Sequence, residues 1–224
     1  MNQALSFIDT TIGKKIVMAL SGLFLFGFVL GHMAGNLQIF LGPETFNAYA
    51  VGMHELLGGK FLIVARLGLL AAVLAHIVMA VQLVTRSAAA RPVGYKVKKN
   101  DRTTFAALTM KFSGFTLLFF ILYHLAHFTF PGVAMGAYEH QPYSQAYTNF
   151  VNGFSIPWVV ALYVAAMISL GLHLYHGSYS LFQTIGFNNP LHNDRVKGTA
   201  QFLAMVVTVG NIILPLSVLL GIVQ

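Results

Sequence analysis

The sequence predicts an all-α fold, an integral membrane bundle of five transmembrane helices with the N-terminus cytoplasmic and the C-terminus outside. Three observations lead there. First, 57% of the 224 residues are hydrophobic and only 8% are charged, with a mean hydropathy of +0.72. A water-soluble domain carries about 25% charged residues, so this chain has too few to cover a water-facing surface. Second, five apolar segments are long enough to cross a bilayer, which takes about 20 residues each. Third, the alternating ten-residue pattern of membrane strands is absent, which leaves helices as the way to satisfy the backbone in lipid.

In order, the spans fall at about Ile16–Leu41, Phe61–Thr85, Phe112–Phe130, Ile156–Phe182 and Ala200–Val223, and residues 1–224 read as a single domain. The N-terminal MNQALSFIDTTIGKK leads into the first apolar run with no signal-peptide cleavage pattern, so that run is expected to stay as a span. Turn-rich connections separate the spans: Gly42-Pro43 and Gly58-Gly59, then Ser87 to Thr104 with Arg91-Pro92. Pro131 to Pro157 follows, and last Gly186 to Gly198 with Asn189-Pro190.

Orientation follows from the basic residues. Lys14, Lys15, Arg86, Arg91, Lys96, Lys98, Lys99, Arg102, Lys111, Arg195 and Lys197 fall on one side, and only Lys60 and Arg66 on the other. The net charge of +7 is thus a topology signal, with room for a cytoplasmic docking partner, and gives no reason to invoke nucleic acid. There is no cysteine, so this chain carries no disulfide, iron–sulfur cluster or thiolate zinc site of its own.

One stretch is written twice. Ser21 to Gly35 reads SGLFLFGFVLGHMAG, and 92 residues later Ser113 to His127 reads SGFTLLFFILYHLAH. Both copies have Ser-Gly followed ten positions later by a histidine, His32 and His124. Six of the nine histidines lie within spans: His32, His76, His124, His127, His173 and His176. Intramembrane ionisable groups are expensive and mark function. His54, His140 and His192 fall in connections.

Depth sorts the six. His32 lies 17 residues beyond Lys15 and His124 lies 13 beyond Lys111. At 1.5 Å per residue both are roughly 20–25 Å from the cytoplasmic end. His76 is ten residues before Arg86 and His176 ten before Gly186, roughly 15 Å from the same end. An outer pair on spans one and three and an inner pair on spans two and four match what two bis-histidine haems need. The repeat selects His124 over His127; spacing does not separate His173 from His176. Zinc is the competing ion, yet none of the six acidic residues lies mid-span to complete such a site. Gly27, Gly31, Gly35, Gly68, Gly171 and Gly177 suit either a macrocycle against backbone or close helix packing.

Ile12-Gly13-Lys14-Lys15, Ser21-Gly22-Leu23-Phe24-Leu25 and Gly31-His32-Met33-Ala34-Gly35-Asn36 resemble the cytochrome b membrane anchor of succinate dehydrogenases and fumarate reductases. So do Leu74-Ala75-His76, Gly114-Phe115 with His124, and His176-Gly177-Ser178. The nearest type is the single-polypeptide, five-helix, di-haem anchor. The resemblance implies two haem b groups, with His32 and His124 as iron ligands of the outer one and His76 and His176 of the inner one. It further implies an iron–sulfur subunit and a FAD-carrying flavoprotein subunit as partners, the FAD and iron–sulfur clusters residing only there. A quinone, expected to be menaquinone, would react in the membrane, and the location would be a bacterial inner membrane.

Around the haems, Arg66 is the candidate for the outer propionates. Ser21 and Ser113 are candidate hydrogen-bond donors, with a bond to their own helix as the alternative. Glu55, beside His54 at the outer start of span two, is the candidate quinone-site carboxylate. Gln183 stands where some members carry a basic residue near the inner propionates. No residue is assigned a catalytic role. Two rival readings are a di-haem anchor of another respiratory dehydrogenase or hydrogenase, and a haem-free transporter lined with histidines.

Overall fold

A computed structural model describes residues 7–91, 93, 103–130, 138–187 and 189–224. Lys96, Lys98, Lys99 and Arg102, four of the charges used for orientation, lie outside the described residues, as do Pro92 and Pro131. Among the described residues there is no strand, and five helices are long and apolar enough to cross a membrane.

Helix α1 spans Thr11–Asn36, and a 3-10 turn continues it through Leu41. Thr10 caps its start, its side chain accepting from the Gly13 amide at 2.9 Å, an arrangement worth about 1 kcal/mol. Gly42 at φ 94° turns the chain, and Pro43 opens α2, Pro43–Glu55. Proline suits that first position because its missing N–H would have had no helical acceptor. Helix α3 is Lys60–Ala89, and α4 is one turn, Phe105–Leu108, leading into α5, Met110–Phe128. Then come α6, Ala146–Phe154, α7, Pro157–Thr184, and α8, Asn193–Leu219. The spans α1, α3, α5, α7 and α8 overlap the five expected segments. Two connections expected to be turn-rich instead contain the short helices α2 and α6. Their apolar residues are too few to span, which is why hydropathy passed over them.

Neighbouring spans form two hairpins, α1 on α3 and α5 on α7. The hairpins meet directly along α1 and α7, and α8 packs against both of those helices. Glycines allow this last approach: the Met33 thioether lies against Gly210, and Thr208 lies against Gly171. At the opposite end of α1, Lys14 is 4% exposed and is held by Gln82 of α3 and by Asp9 at 3.7 Å.

The packed core sits at the end of the bundle covered by α2 and α6, called here the capped end. Ile39, Phe46, Phe150, Phe154, Val159, Tyr163 and Leu214 meet there. Side chains of the connections tie it down. Asn47 accepts from the Tyr147 amide at 2.9 Å, and Asn149 pairs with both backbone groups of Gln141 at 2.7 and 2.8 Å. Away from the cap the interior is less filled: α3 has no buried residue along its whole length.

Candidate functional site

The two hairpins bring four histidines into two facing pairs. His32 of α1 and His124 of α5 lie nearer the capped end, ring centroids 5.7 Å apart and nearly perpendicular. His76 of α3 and His173 of α7 lie toward the other end, centroids 6.2 Å apart. The first pair is the one expected. The second joins His76 to His173, where the resemblance had pointed to His176. His176 is half-buried one turn further along α7 and makes no ring contact or hydrogen bond among the described residues. Its neighbour Gly177 faces the Met110 methyl.

The reason for this pairing is the serine on each hairpin's first helix. Ser21 Oγ lies 3.4 Å from His76 Nδ1, and Ser113 Oγ lies 3.3 Å from His173 Nδ1. Gly22 and Gly114, next to those serines, leave room for the rings: a Cβ would stand 3.2 Å from His76 Cε1 and 3.8 Å from His173 Cε1. The Ser-Gly repeat therefore seats a histidine from the second helix of each hairpin. Both serines also donate to their own helix, Ser21 to Val17 O at 2.8 Å and Ser113 to Met110 O at 3.0 Å. The hydroxyl proton is thus engaged, and the oxygen lone pair is what each ring nitrogen meets.

Hydrogen-bond direction then fixes which ring nitrogen is bare. His76 Nδ1 lies 3.1 Å from Met18 O. A carbonyl only accepts, so Nδ1 carries the proton and Nε2 has a free lone pair. The same logic at Ser113 leaves His173 Nε2 bare. His32 Nε2 lies 3.2 Å from the Asn36 side-chain amide nitrogen, which donates to it, so Nε2 is unprotonated but its lone pair is engaged by Asn36. His124 Nδ1 lies 3.0 Å from the Tyr163 hydroxyl, which leaves its Nε2 for another partner. A metal-binding histidine characteristically spends its other nitrogen on a carbonyl or similar group.

Spacing fits as well. An imidazole–metal bond is about 2 Å, which puts two rings on opposite sides of one ion about 6 Å apart at their centroids. Both pairs have that separation. Among the described residues no group of three or more His, Cys, Asp or Glu side chains is placed to hold a metal. Paired imidazoles without a third or fourth ligand suit an iron whose equatorial positions a porphyrin fills, and do not suit zinc. Space is present beside the first pair: His32 is exposed although it faces His124, and nothing lies within 4 Å of a Cβ on Gly27 or Gly31. Gly35, by contrast, packs under Tyr49 of α2, and Gly171 under Thr208.

His127, set aside by the repeat, is 2% exposed, with Nδ1 2.9 Å from the Tyr163 hydroxyl and Nε2 unpartnered. Gly153 and Phe128 press on it, so no flat ligand reaches the ring. The Tyr138 hydroxyl donates to His127 O at 2.9 Å. Burial, with a smaller contribution from Tyr123, pushes that phenol up to about 12, so it remains a donor near neutrality.

The remaining candidates scatter. Arg66 is exposed on α3 and has no ion pair among the described residues. It follows Ala65, which with Leu23, Phe24, Gly27, Phe28 and Leu69 lines an apolar groove of about 400 Å³ between α1 and α3. Phe28 in turn stacks on His32 at 5.3 Å. His54 stacks on Tyr143 at 4.3 Å and donates to Ala50 O, while Glu55 is exposed at the end of α2. Gln183 is exposed near the end of α7.

Residues 91–212, which take in α4 to α7 and most of α8, match the family described as the succinate dehydrogenase/fumarate reductase transmembrane subunit. The chain belongs to that family. No curated protein and no solved structure matches it. As a member it is a multi-pass membrane protein, the membrane subunit of an oxidoreductase complex whose catalytic subunits are its partners.

Proposed function

We propose that this anchor holds two haem b groups and carries electrons between a cytoplasmic iron–sulfur subunit and quinone in a bacterial inner membrane. The observation that carries the reading is the pair of facing imidazole couples, stacked at two depths of one bundle, with His76 Nδ1 held on Met18 O and His173 Nδ1 on Ser113 so that Nε2 of each is left bare. His32 and His124 would hold one haem, His76 and His173 the other. The haems supply one-electron carriers of adjustable potential. The protein supplies axial nitrogens, orientation and a low-dielectric enclosure. With the basic residues placed inside, the capped end faces outward and the His76–His173 pair lies nearer the iron–sulfur protein, whose partner carries FAD. Menaquinone remains the expected quinone. His54 and Glu55 at the capped end are its candidate contacts, because their imidazole and carboxyl can exchange protons where quinol is formed or consumed.

The test is to purify the membrane complex and measure haem by its pyridine haemochrome. Two haems per anchor are expected, with the flavoprotein and iron–sulfur subunits copurifying and succinate or quinol reducing both haems. A colourless anchor would return the transporter reading. Copurification of formate dehydrogenase or hydrogenase subunits would return the other rival.

Arg66 gives a second prediction. A guanidinium near the capped-end haem favours its reduced form, which carries one positive charge fewer. Arg66→Leu is therefore expected to lower that haem's potential and leave the other in place. Redox titration that finds both potentials unchanged would release Arg66 to the membrane interface, where a long cationic side chain reaches water.

A further inference from the structure

Tyr163 of α7 touches both histidines at the end of α5. Its hydroxyl lies 3.0 Å from His124 Nδ1 and 2.9 Å from His127 Nδ1. It belongs to the packed core, edge-on to Phe120 and Phe154 at 4.9 and 4.8 Å, so it has little freedom to move. A phenol has one proton. It donates to one of the two imidazoles and accepts from the other.

Only one of the two arrangements frees His124 to bind iron through Nε2. If Tyr163 donated to His124, the ring would carry its proton on Nε2 and have no lone pair there. His124 Nδ1–H must therefore donate to Tyr163, and the Tyr163 proton must pass to His127 Nδ1. His127 then carries its own proton on Nε2, the atom that is buried and without a partner. That unpaired N–H is a standing cost, since a buried donor gives up its hydrogen bond to water and gains none in return. A residue whose only duty was packing would be better replaced by phenylalanine or leucine.

We propose that Tyr163, backed by His127, is the positioning residue that fixes His124 with a protonated Nδ1 and a bare Nε2. The inference rests on the di-haem reading and goes beyond it. The other pair has acceptors of its own, Met18 O for His76 and Ser113 for His173, so a change at Tyr163 leaves their seats in place. The inner pair is accordingly an internal reference. A ring that donates from Nδ1 is a stronger donor at Nε2 and favours ferric iron, so loss of the acceptor raises the potential.

The test uses the purified complex with Tyr163→Phe, His127→Leu and His127→Asn, following haem content, the redox titration and the EPR of the low-spin centres. The outer centre is assigned as the one lost in His32→Ala. Tyr163→Phe is expected to shift the outer centre's potential upward and alter its EPR signal while the inner centre stays put. His127→Leu, which leaves the phenol proton without an acceptor, is expected to shift it the same way by less. His127→Asn offers Oδ1 in the place of Nδ1 and is expected to restore it.

Unchanged centres in Tyr163→Phe, or equal shifts in both, would overturn the proposal while the di-haem reading stands. Loss of the outer haem in Tyr163→Phe supports the proposal when His127→Leu also moves the outer potential, and overturns it when His127→Leu does nothing. A wild-type complex without haem overturns both.

Discussion

His173→Ala is expected to remove one of two haems from the anchor and leave the other with its spectrum and potential intact. His76→Ala should give the same single-haem protein, because the two rings face each other at 6.2 Å. His176→Ala should keep both haems. The contrast decides between two readings of α7: the family resemblance points to His176, and the packing of α5 against α7 presents His173. The physical basis is the seat under each ring. His173 Nδ1 meets Ser113, which is 1% exposed, so the imidazole is both oriented and held in one tautomer. His176 has no such support. Haem quantification with low-temperature spectra of the three variants checks this. Loss of haem from His176→Ala with retention in His173→Ala would restore the assignment made by resemblance.

Gly22→Leu is expected to remove that same haem although no histidine is replaced. A Cβ at Gly22 would already stand 3.2 Å from His76 Cε1 and 3.4 Å from Nδ1, tighter than ordinary contact. Three further carbons cannot be added unless the imidazole leaves its bond to Met18 O. Overpacking of this kind costs about 1–3 kcal/mol when a core can shift. Here the shift itself displaces the His76 ring. Gly22→Ala asks for only a few tenths of an ångström and should keep both haems. A series that runs Ala, Val, Leu with falling inner-haem content and steady outer-haem content would confirm the wedge. Equal loss of both haems would show that Gly22 serves general helix packing instead.

Much of the architecture was legible in the sequence because hydropathy is a strong signal over twenty residues. All five spans appear where the apolar runs lie. The facing of His32 and His124 was legible as well, since the two first helices repeat without a gap. That the His76 ring faces His173 was not. Ser21 and His76 are 55 residues apart, whereas Ser113 and His173 are 60 apart. The second hairpin has five more residues between seat and ligand, so a gapless comparison of the second helices slips out of register. Spacing alone leaves His173 and His176 both open, and it is the family resemblance that points to His176. The role of Tyr163 was invisible for a different reason. A tyrosine in a span rich in aromatic residues carries no pattern of its own, and only the crossing of α5 over α7 brings its hydroxyl to two imidazoles. The helices α2 and α6 escaped because a short, half-polar helix at a membrane surface looks, in composition, like a loop.

The pairing across hairpins has a bearing on biogenesis. Each couple takes one imidazole from α1–α3 and one from α5–α7, so the first half of the chain, threaded into the membrane alone, holds two unmatched imidazoles at different heights. Neither can grip a porphyrin from both sides until the second half has followed. On the di-haem proposal, cofactor capture is a late event in manufacture, and it adds a clasp between two halves that also meet where α1 packs on α7 and α8 and where α2 packs on α6.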